Sequence, residues 1–171
     1  MKRGIVYLSS LFVLVLVLVG CFKDNATAPC VGNTFSQDKL IIDGYLTANN
    51  LSGQYSFNEE YKAYSSVLEP GTGNSFVDAD MLSIKQDLAI LGGTSDVQSV
   101  TQSVEFSKLA PFFKYYFTML KPGGKISIIV PSSQSMYGCN GGFDSQTGAQ
   151  IIPANAQLKY TYTVSKASTD K

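Results

Sequence analysis

The chain has 171 residues, 13 basic and 13 acidic side chains, and no histidine. This length suits one domain with a hydrophobic core. The lack of histidine excludes Ser-His-Asp and Cys-His nucleophile pairs and every histidine-ligated metal site. The only arginine is Arg3 and no lysine cluster is present, so nucleic acid is not expected as a partner.

The first twenty residues have the features of a bacterial lipoprotein signal peptide. Two basic residues precede an apolar run at residues 11–19, and the LVGC sequence at residues 18–21 fits the motif in which the cysteine is lipidated. The alternative is one transmembrane helix, but the run is shorter than the roughly 20 residues that spanning requires. We therefore expect residues 1–20 to be removed and Cys21 to anchor the protein to a membrane of the bacterial cell envelope, on the periplasmic or outer-membrane side.

Two further cysteines, Cys30 and Cys139, remain once Cys21 is lipidated. Outside the cytoplasm such a pair favours a disulfide over a metal site or a nucleophile. Two free thiols, or pairing with another chain, are the alternatives, because the sequence does not reveal the distance between them.

A polar tether and a short helix are predicted next. Residues 21–35 are rich in Asn, Thr, Pro and Gly and show no periodicity, which is typical of a linker. Ser36 has the character of a helix N-cap, and two apolar i,i+4 pairs follow before Asn49 ends the helix. Residues 36–60 are therefore assigned to an N-terminal helix and linker.

Several strands are predicted after this helix. Residues 61–68 form a candidate strand, and the EPGTG sequence at residues 69–73 is a turn. Residues 80–91 alternate with a period of two, which places Gln86 as the one polar side chain on an otherwise apolar face. A weaker strand covers residues 100–106.

The later part of the chain predicts one helix and two more strands. Pro111 suits a first helical turn, and Phe113, Tyr116, Phe117 and Leu120 form one apolar stripe. Residues 122–124 end the helix, and residues 125–131 and 157–164 have the patterns of strands. Antiparallel strands covered by one helix give an α+β domain.

Four motifs carry a resemblance to a known family. They are EPGTG at residues 69–73, KPGGK at residues 121–125, Tyr137-Gly138 and Ile152-Pro153. In this order they resemble the FKBP-type peptidyl-prolyl cis-trans isomerases, in their bacterial lipoprotein form. The resemblance covers residues 61–165, and residues 166–171 are assigned to a polar tail. The resemblance implies an FKBP-like twisted antiparallel sheet wrapped on one short helix, preceded by a short N-terminal helix.

The resemblance also implies a pocket for proline that needs no cofactor and no metal. Phe113 matches the pocket floor, where the family usually has tryptophan, and Tyr137 matches the tyrosine whose hydroxyl donates to a substrate carbonyl. Tyr160 completes the implied catalytic set. The implied substrate-binding residues are Phe106, Leu109, Ala110 and Ile152.

Three positions depart from the family pattern within the implied pocket. Gln86 stands where the family has an aromatic wall residue, and Asp96 and Val97 stand where it has a Phe-Asp pair. An amide and a charge in a dry pocket are costly to desolvate. Residues 139–150 lengthen the loop over the pocket mouth, as a surface loop or as a flap that touches substrate.

Two functions fit these observations. The first is an isomerase and folding helper that acts on Xaa-Pro segments of envelope proteins, weakly because pocket positions are altered. The second is a non-catalytic FKBP-fold lipoprotein that binds extended Pro-containing segments or takes part in assembly. The sequence indicates no oligomeric state.

Overall fold

The structure, a computed structural model, describes residues 29–167. The α-helices and strands of this part, all within the unit formed by residues 31–171, are α1 (Phe35–Ala48), β1 (Ser56–Asn58), β2 (Ala63–Glu69), β3 (Met81–Ile90), β4 (Asp96–Glu105), α2 (Pro111–Phe117), β5 (Gly124–Val130), β6 (Gly142–Phe143), β7 (Gln150–Ile152) and β8 (Leu158–Lys166). Two short 3-10 helices lie at Phe106–Lys108 and Ser132–Gln134. The predicted signal peptide and Cys21 lie outside the described residues. Within those residues, no helix combines the length and the hydropathy needed to cross a bilayer.

Six strands form one antiparallel sheet in the order β1-β2-β5-β8-β3-β4. In its centre, Ile128 of β5 lies opposite Tyr160 of β8. On the other side of β8, Leu88 lies opposite Tyr160 and Gln86 lies opposite Tyr162. Directly paired residues share a face of the sheet, so these side chains form neighbouring rows on one face. The predicted α+β domain with antiparallel strands is confirmed.

Helix α2 covers this face. Pro111 occupies its first turn, where the missing N–H would have no helical partner. Tyr116, Phe117 and Leu120 are completely buried, whereas Phe113 packs on the same core but stays partly exposed. The predicted apolar stripe is therefore present, and only its first member reaches the surface of a cavity.

Helix α1 begins at Phe35, before the predicted start. Thr34 rather than Ser36 is the N-cap: its hydroxyl accepts a hydrogen bond from the Gln37 N–H, and the Gln37 side chain accepts one from the Thr34 N–H. This reciprocal pair is a capping box, which satisfies two N–H groups at once. Ser36 can form no such pair, because the N–H groups that it would cap already lie inside the helix.

Helix α1 packs on the sheet face opposite to α2. Ile42 and Leu46 are buried with Tyr64 and Ile129 in a second core cluster. Because successive residues of a strand face opposite sides, Ile129 points to α1 while its neighbour Ile128 belongs to the core under α2. The sheet is thus covered on both faces.

A buried carboxylate joins α1 to the rest of the domain. Asp38 is 0% exposed. Its Oδ1 accepts hydrogen bonds from Asn33 Nδ2 (2.9 Å), Ser132 Oγ (2.8 Å) and Gln157 Nε2 (2.6 Å), and its Oδ2 accepts one from the Ser133 N–H (2.7 Å). Four donors therefore compensate one buried charge.

Part of the predicted tether also packs on the domain. Asn155 Oδ1 accepts a hydrogen bond from the Asn33 N–H, and Asn155 Nδ2 donates to the carbonyl of Val31, both at 3.1 Å. Cys30 and Cys139 are each disulfide-bonded.

Three short strands were not predicted. β1 extends the sheet beside β2, and β6 and β7 form a small hairpin in the segment predicted as a loop. Strands of two or three residues are too short to show a period of two. The hairpin gives the loop over the pocket mouth a defined shape.

Candidate functional site

A cavity of about 430 Å³ opens on the sheet face that α2 covers. We call it the aromatic cavity, because six of its lining residues are phenylalanine or tyrosine. Its lining residues are Tyr61, Gln86, Leu88, Gln98, Phe112, Phe113, Ile128, Val130, Gln134, Ser135, Met136, Tyr137, Tyr160 and Tyr162. They come from β3, β4, β5, β8, α2, the segment after β5 and, for Tyr61, the segment between β1 and β2.

Three rings form the floor and one wall. Phe113 meets Tyr162 edge to face, with 5.7 Å between ring centroids and 73° between ring planes. Tyr160 and Tyr162, two residues apart on β8, lie nearly parallel at 10° and 6.0 Å. Edge-to-face and offset arrangements are the favourable ones for aromatic rings. The rings therefore support one another in an arrangement suited to an apolar ring such as that of proline.

Tyr137 stands at the mouth, supported by the hairpin. A Cβ atom on Gly142 would lie 2.9 Å from Tyr137 Cδ1 and 3.1 Å from Ile152 Cδ1. Only glycine fits there without displacing the tyrosine ring. Ile152 is 1% exposed in a cluster with Leu88 and Leu158, against which Tyr137 packs. The hairpin thus positions Tyr137 over the cavity.

Gln86 lies on the wall between aliphatic and aromatic neighbours. It is partly buried on β3 and lies opposite Tyr162. Its amide forms no hydrogen bond with any other residue of the described chain. The hydroxyl of Tyr162, whose side chain is only 4% exposed, likewise has no partner within residues 29–167. A ligand that displaces water from the cavity must therefore form hydrogen bonds with these two groups or leave them without a partner.

The cavity wall is uncharged. None of its lining residues, all within the described part of the chain, is an acid or a base. Burial, reinforced by the neighbouring Tyr137, raises the pKa of Tyr160 to about 12, and burial also raises the pKa of Tyr162. Both hydroxyls therefore stay protonated at neutral pH and can donate hydrogen bonds to a carbonyl.

Four of the residues implied by the family resemblance meet in the aromatic cavity. They are Phe113, Tyr137, Tyr160 and Gln86. Ile152 lies beneath Tyr137 and supports it. Val97 packs on the same cluster as Tyr137 and lines a neighbouring cavity instead.

The other four implied residues do not line the aromatic cavity. Phe106 is 4% exposed and packs in the core beside Phe76, because β4 ends at Glu105 and the chain turns there. Leu109 packs partly buried against the same core. Ala110 and Asp96 are exposed, Asp96 at the first position of β4.

Sequence reasoning missed several lining residues. Tyr162 shares the predicted inward alternation of β8 with Tyr160, so this signal was present. Phe112 adjoins Phe113, but a helix period places neighbouring residues about 100° apart and gave no reason to select it. Tyr61 reaches the cavity through its edge-to-face contact with Phe112, at 5.5 Å, which no local pattern indicates.

The described residues contain no group of three or more acidic, thiol or imidazole side chains that could hold a metal ion. What the aromatic cavity offers is an apolar, uncharged wall with hydroxyl and amide groups near its rim. Such a wall favours a neutral ligand that carries an apolar ring and a few hydrogen-bonding groups.

No family model matches the sequence, and no curated protein matches it. A peptidyl-prolyl cis-trans isomerase from Pseudomonas syringae pv. tomato is similar in structure over 81% of this chain and 99% of its own, with a TM-score of 0.52 and 13% identity.

Two further solved structures are similar. They are FkpA from Escherichia coli (TM-score 0.49, 17% identity, 78% of this chain and 62% of that chain) and AtFKBP13 (TM-score 0.48, 16% identity, 66% of this chain and 98% of that chain). At these identities the likeness concerns the fold alone. The antiparallel sheet, the short helix across it and the similarity to the Pseudomonas isomerase together show that this chain has an FKBP-like fold.

Proposed function

We propose that this protein binds Xaa-Pro segments in its aromatic cavity and accelerates their cis-trans isomerisation. One observation carries the proposal: Phe113, Tyr137 and Tyr160 come from three separate parts of the chain and line one uncharged cavity of about 430 Å³. The proline ring would lie against Phe113 and Tyr160, with Tyr137 at the rim.

The chemistry needs no nucleophile. Amide resonance sets a barrier of about 18–20 kcal/mol for rotation about a peptide bond. The twisted transition state has lost that resonance, and its carbonyl is less polar than that of the planar amide. A dry apolar wall therefore favours the transition state over the ground state, and the Tyr137 hydroxyl can hold a neighbouring substrate carbonyl in place.

The activity is expected to be weak. Gln86 places an amide in the wall of the aromatic cavity, and the desolvation of an amide without a hydrogen-bond partner costs about 1–3 kcal/mol. Among residues 29–167, no carboxylate lines the cavity to accept a hydrogen bond from the substrate. Both features reduce the affinity for an apolar ligand.

The same amide favours a second candidate, a non-catalytic binder. A wall that holds a peptide by hydrogen bonds to Gln86 stabilises the planar amide and the twisted amide alike. Such uniform binding gives affinity without acceleration. Isomerisation kinetics separate the two candidates.

We further propose that the protein acts as a folding helper in the bacterial cell envelope, with Xaa-Pro segments of envelope proteins as its partners. The support is the signal-like sequence that ends at Cys21, whose lipidation would hold the domain at a membrane. Mass spectrometry of the membrane fraction tests this, with a diacylglyceryl mass on Cys21 as the expected result and an unmodified amino terminus at Met1 as the contrary one.

A protease-coupled isomerase assay on an Ala-Leu-Pro-Phe peptide tests the proposed activity. The wild-type protein should accelerate the slow phase of peptide cleavage, which is limited by the cis-trans isomerisation of the Leu-Pro bond. Phe113→Ala should reduce kcat/KM at least about tenfold, because it removes an apolar contact worth about 1.5–3 kcal/mol. Tyr137→Phe removes one hydroxyl and should reduce it about three- to tenfold. Tyr115→Phe removes a hydroxyl outside the cavity and serves as the matched control.

Thermal unfolding of each variant keeps loss of fold apart from loss of activity. A folded wild-type protein that binds the peptide without any acceleration would contradict the isomerase and leave the binder. Equal activity of the wild type and Phe113→Ala would contradict the cavity as the site.

A further inference from the structure

A second cavity adjoins the aromatic cavity. It measures about 270 Å³ and lies between the first residues of β4 and the β6–β7 hairpin. Gln98 and Tyr137 line both cavities. The two spaces therefore share part of their walls, and an elongated ligand that passes these two side chains would contact both.

The second cavity differs from the first in its chemistry. Val97, Phe143 and Ile151 give it apolar walls, and Phe143 and Ile151 are 60% and 39% exposed. Asp144 is the one charged residue among those that line it within the described chain. The combination suits a side chain with a long apolar stem and a positive end.

One oxygen of Asp144 is engaged and the other is available. Its Oδ1 accepts hydrogen bonds from the Gln146 N–H (3.1 Å), the Thr147 N–H (2.7 Å) and Thr147 Oγ1 (2.8 Å). These bonds, those from Thr147 first, lower the pKa of Asp144, so it carries its charge at neutral pH. Its Oδ2 has no hydrogen-bond partner within residues 29–167.

The spacing of an extended peptide matches this arrangement. Alternate side chains of an extended chain point to the same side, and two residues span about 7 Å. Tyr137 and Gln98, which line both cavities, would lie between two such side chains. A peptide with its proline in the first cavity therefore presents the residue two positions away to the second.

We propose that the second cavity is a substrate subsite for a lysine or arginine two positions from the proline, with the charged end at Asp144 and the stem against Phe143. This inference rests on the proposed function, because the aromatic cavity must hold the proline for the register to exist. The predicted substrates are therefore Xaa-Pro segments that carry a basic residue two positions from the proline.

Fluorescence anisotropy with labelled eight-residue peptides and the full-length protein in mild detergent tests the subsite. The peptides carry lysine, norleucine or glutamate two positions before or two positions after a single proline. We expect the lysine peptide of one of the two registers to bind with a Kd about three- to fivefold lower than its norleucine counterpart, and glutamate to bind most weakly.

Three variants test whether the preference for lysine arises in the second cavity. Asp144→Asn keeps an oxygen for the turn and removes only the charge, so it should make the lysine and norleucine peptides equal. Glu69→Gln makes the same change in net charge at an exposed carboxylate that contacts Lys125 and should leave the preference intact. Phe143→Ala should weaken both the lysine and the norleucine peptide.

The outcomes separate the two proposals. Binding that requires proline but ignores charge, or that responds equally to Asp144→Asn and Glu69→Gln, would overturn the subsite alone. Equal binding of peptides with alanine in place of proline, or no binding of any peptide, would overturn the proposed function together with the subsite.

Discussion

Gln86 is the residue on which the strength of the proposed activity depends. It occupies the wall of a cavity whose other β3 contributor is Leu88, and its amide has no partner among residues 29–167. Water can satisfy the amide while the cavity is open, but an apolar ligand removes that water. The amide is therefore a penalty for an apolar ligand and an attachment point for a polar one.

Gln86→Leu should raise kcat/KM for an apolar Leu-Pro peptide at least about fivefold, because it removes an amide that the ligand must otherwise desolvate at a cost of about 1–3 kcal/mol. The measurement is the isomerase assay, with Gln146→Leu in the exposed hairpin turn as the control for added surface hydrophobicity. A lower kcat/KM in Gln86→Leu would mean that the substrate bonds to the amide.

At the scale of single residues the sequence predicted part of the lining of the aromatic cavity. Phe113, Tyr137 and Tyr160 were assigned to the pocket by the resemblance to the FKBP-type isomerases, because their local patterns alone would suit core or loop residues equally well. The position of Phe106 could not be predicted, since it depends on where β4 ends and which way the following turn runs. Tyr61 reaches the cavity only through the packing of the completed fold.

Among the elements, α1 is attached to the domain by a buried carboxylate in addition to its apolar contacts with the sheet. The Asp38 carboxylate accepts hydrogen bonds from Asn33, from Ser132 and Ser133 after β5, and from Gln157 before β8. Burial alone would raise the pKa of Asp38, but the hydrogen bonds from Ser133, Asn33 and Ser132 outweigh it and hold the pKa below the ordinary value of 3.8. The ionised form is therefore the one that the fold prefers.

Asp38→Ala should reduce the free energy of unfolding by about 2–4 kcal/mol, because it leaves several buried donors without an acceptor. Asp78→Ala removes an exposed carboxylate paired with Lys114 and should change it by no more than about 1 kcal/mol. Urea unfolding at neutral pH gives both values. A loss in Asp38→Ala no larger than that in Asp78→Ala would contradict the anchoring role.

The difference in the free energy of unfolding between the wild type and Asp38→Ala should depend on pH. The folded-state pKa of Asp38 lies below the unfolded value, so its stabilisation is complete above about pH 4–5 and is lost as the pH falls through the folded-state pKa. The stability difference between the wild type and Asp38→Ala should therefore shrink below about pH 4. A difference that stays constant down to pH 2 would show that ionised Asp38 contributes nothing.

The elements that sequence predicted are those with a period or a cap of their own. The five longer strands and both helices have such signals, and they were predicted. β1, β6 and β7 have two or three residues each, and their pairing depends on neighbours that the folded chain supplies. The start of α1 was misplaced because both Thr34 and Ser36 have the chemistry of a cap, and only the reciprocal bond with Gln37 distinguishes them.

Over the whole molecule, the core under α2 is rich in tyrosine. Burial, with smaller contributions from Tyr115 and Tyr61, raises the pKa of Tyr116 to about 12, and burial together with Tyr137 raises that of Tyr160 to about 12. The Tyr116 hydroxyl is fully buried without a hydrogen-bond partner in the described chain. The fold therefore resists the ionisation of these side chains.

Alkaline titration should reveal this resistance. The folded-state pKa values lie above the unfolded value of about 10, so stability is complete below pH 10 and is lost as the pH rises from about 10 towards 12. The ultraviolet absorbance of tyrosinate should rise in two steps, the second coinciding with the loss of circular dichroism. Tyr162→Phe should move the second step to higher pH, whereas Tyr115→Phe should not. If every tyrosine ionised near pH 10 while the fold stayed intact, the statement that burial raises the pKa of these tyrosines would be wrong.

The rings of α2 and β8 form the proline-binding site that we propose. Intermolecular nuclear Overhauser effects between a proline-containing peptide and the full-length protein test this claim. We predict effects from the proline ring protons to the rings of Phe113 and Tyr160, which disappear when alanine replaces proline. Bound peptide whose proline ring shows effects only to residues outside the aromatic cavity would contradict the claim.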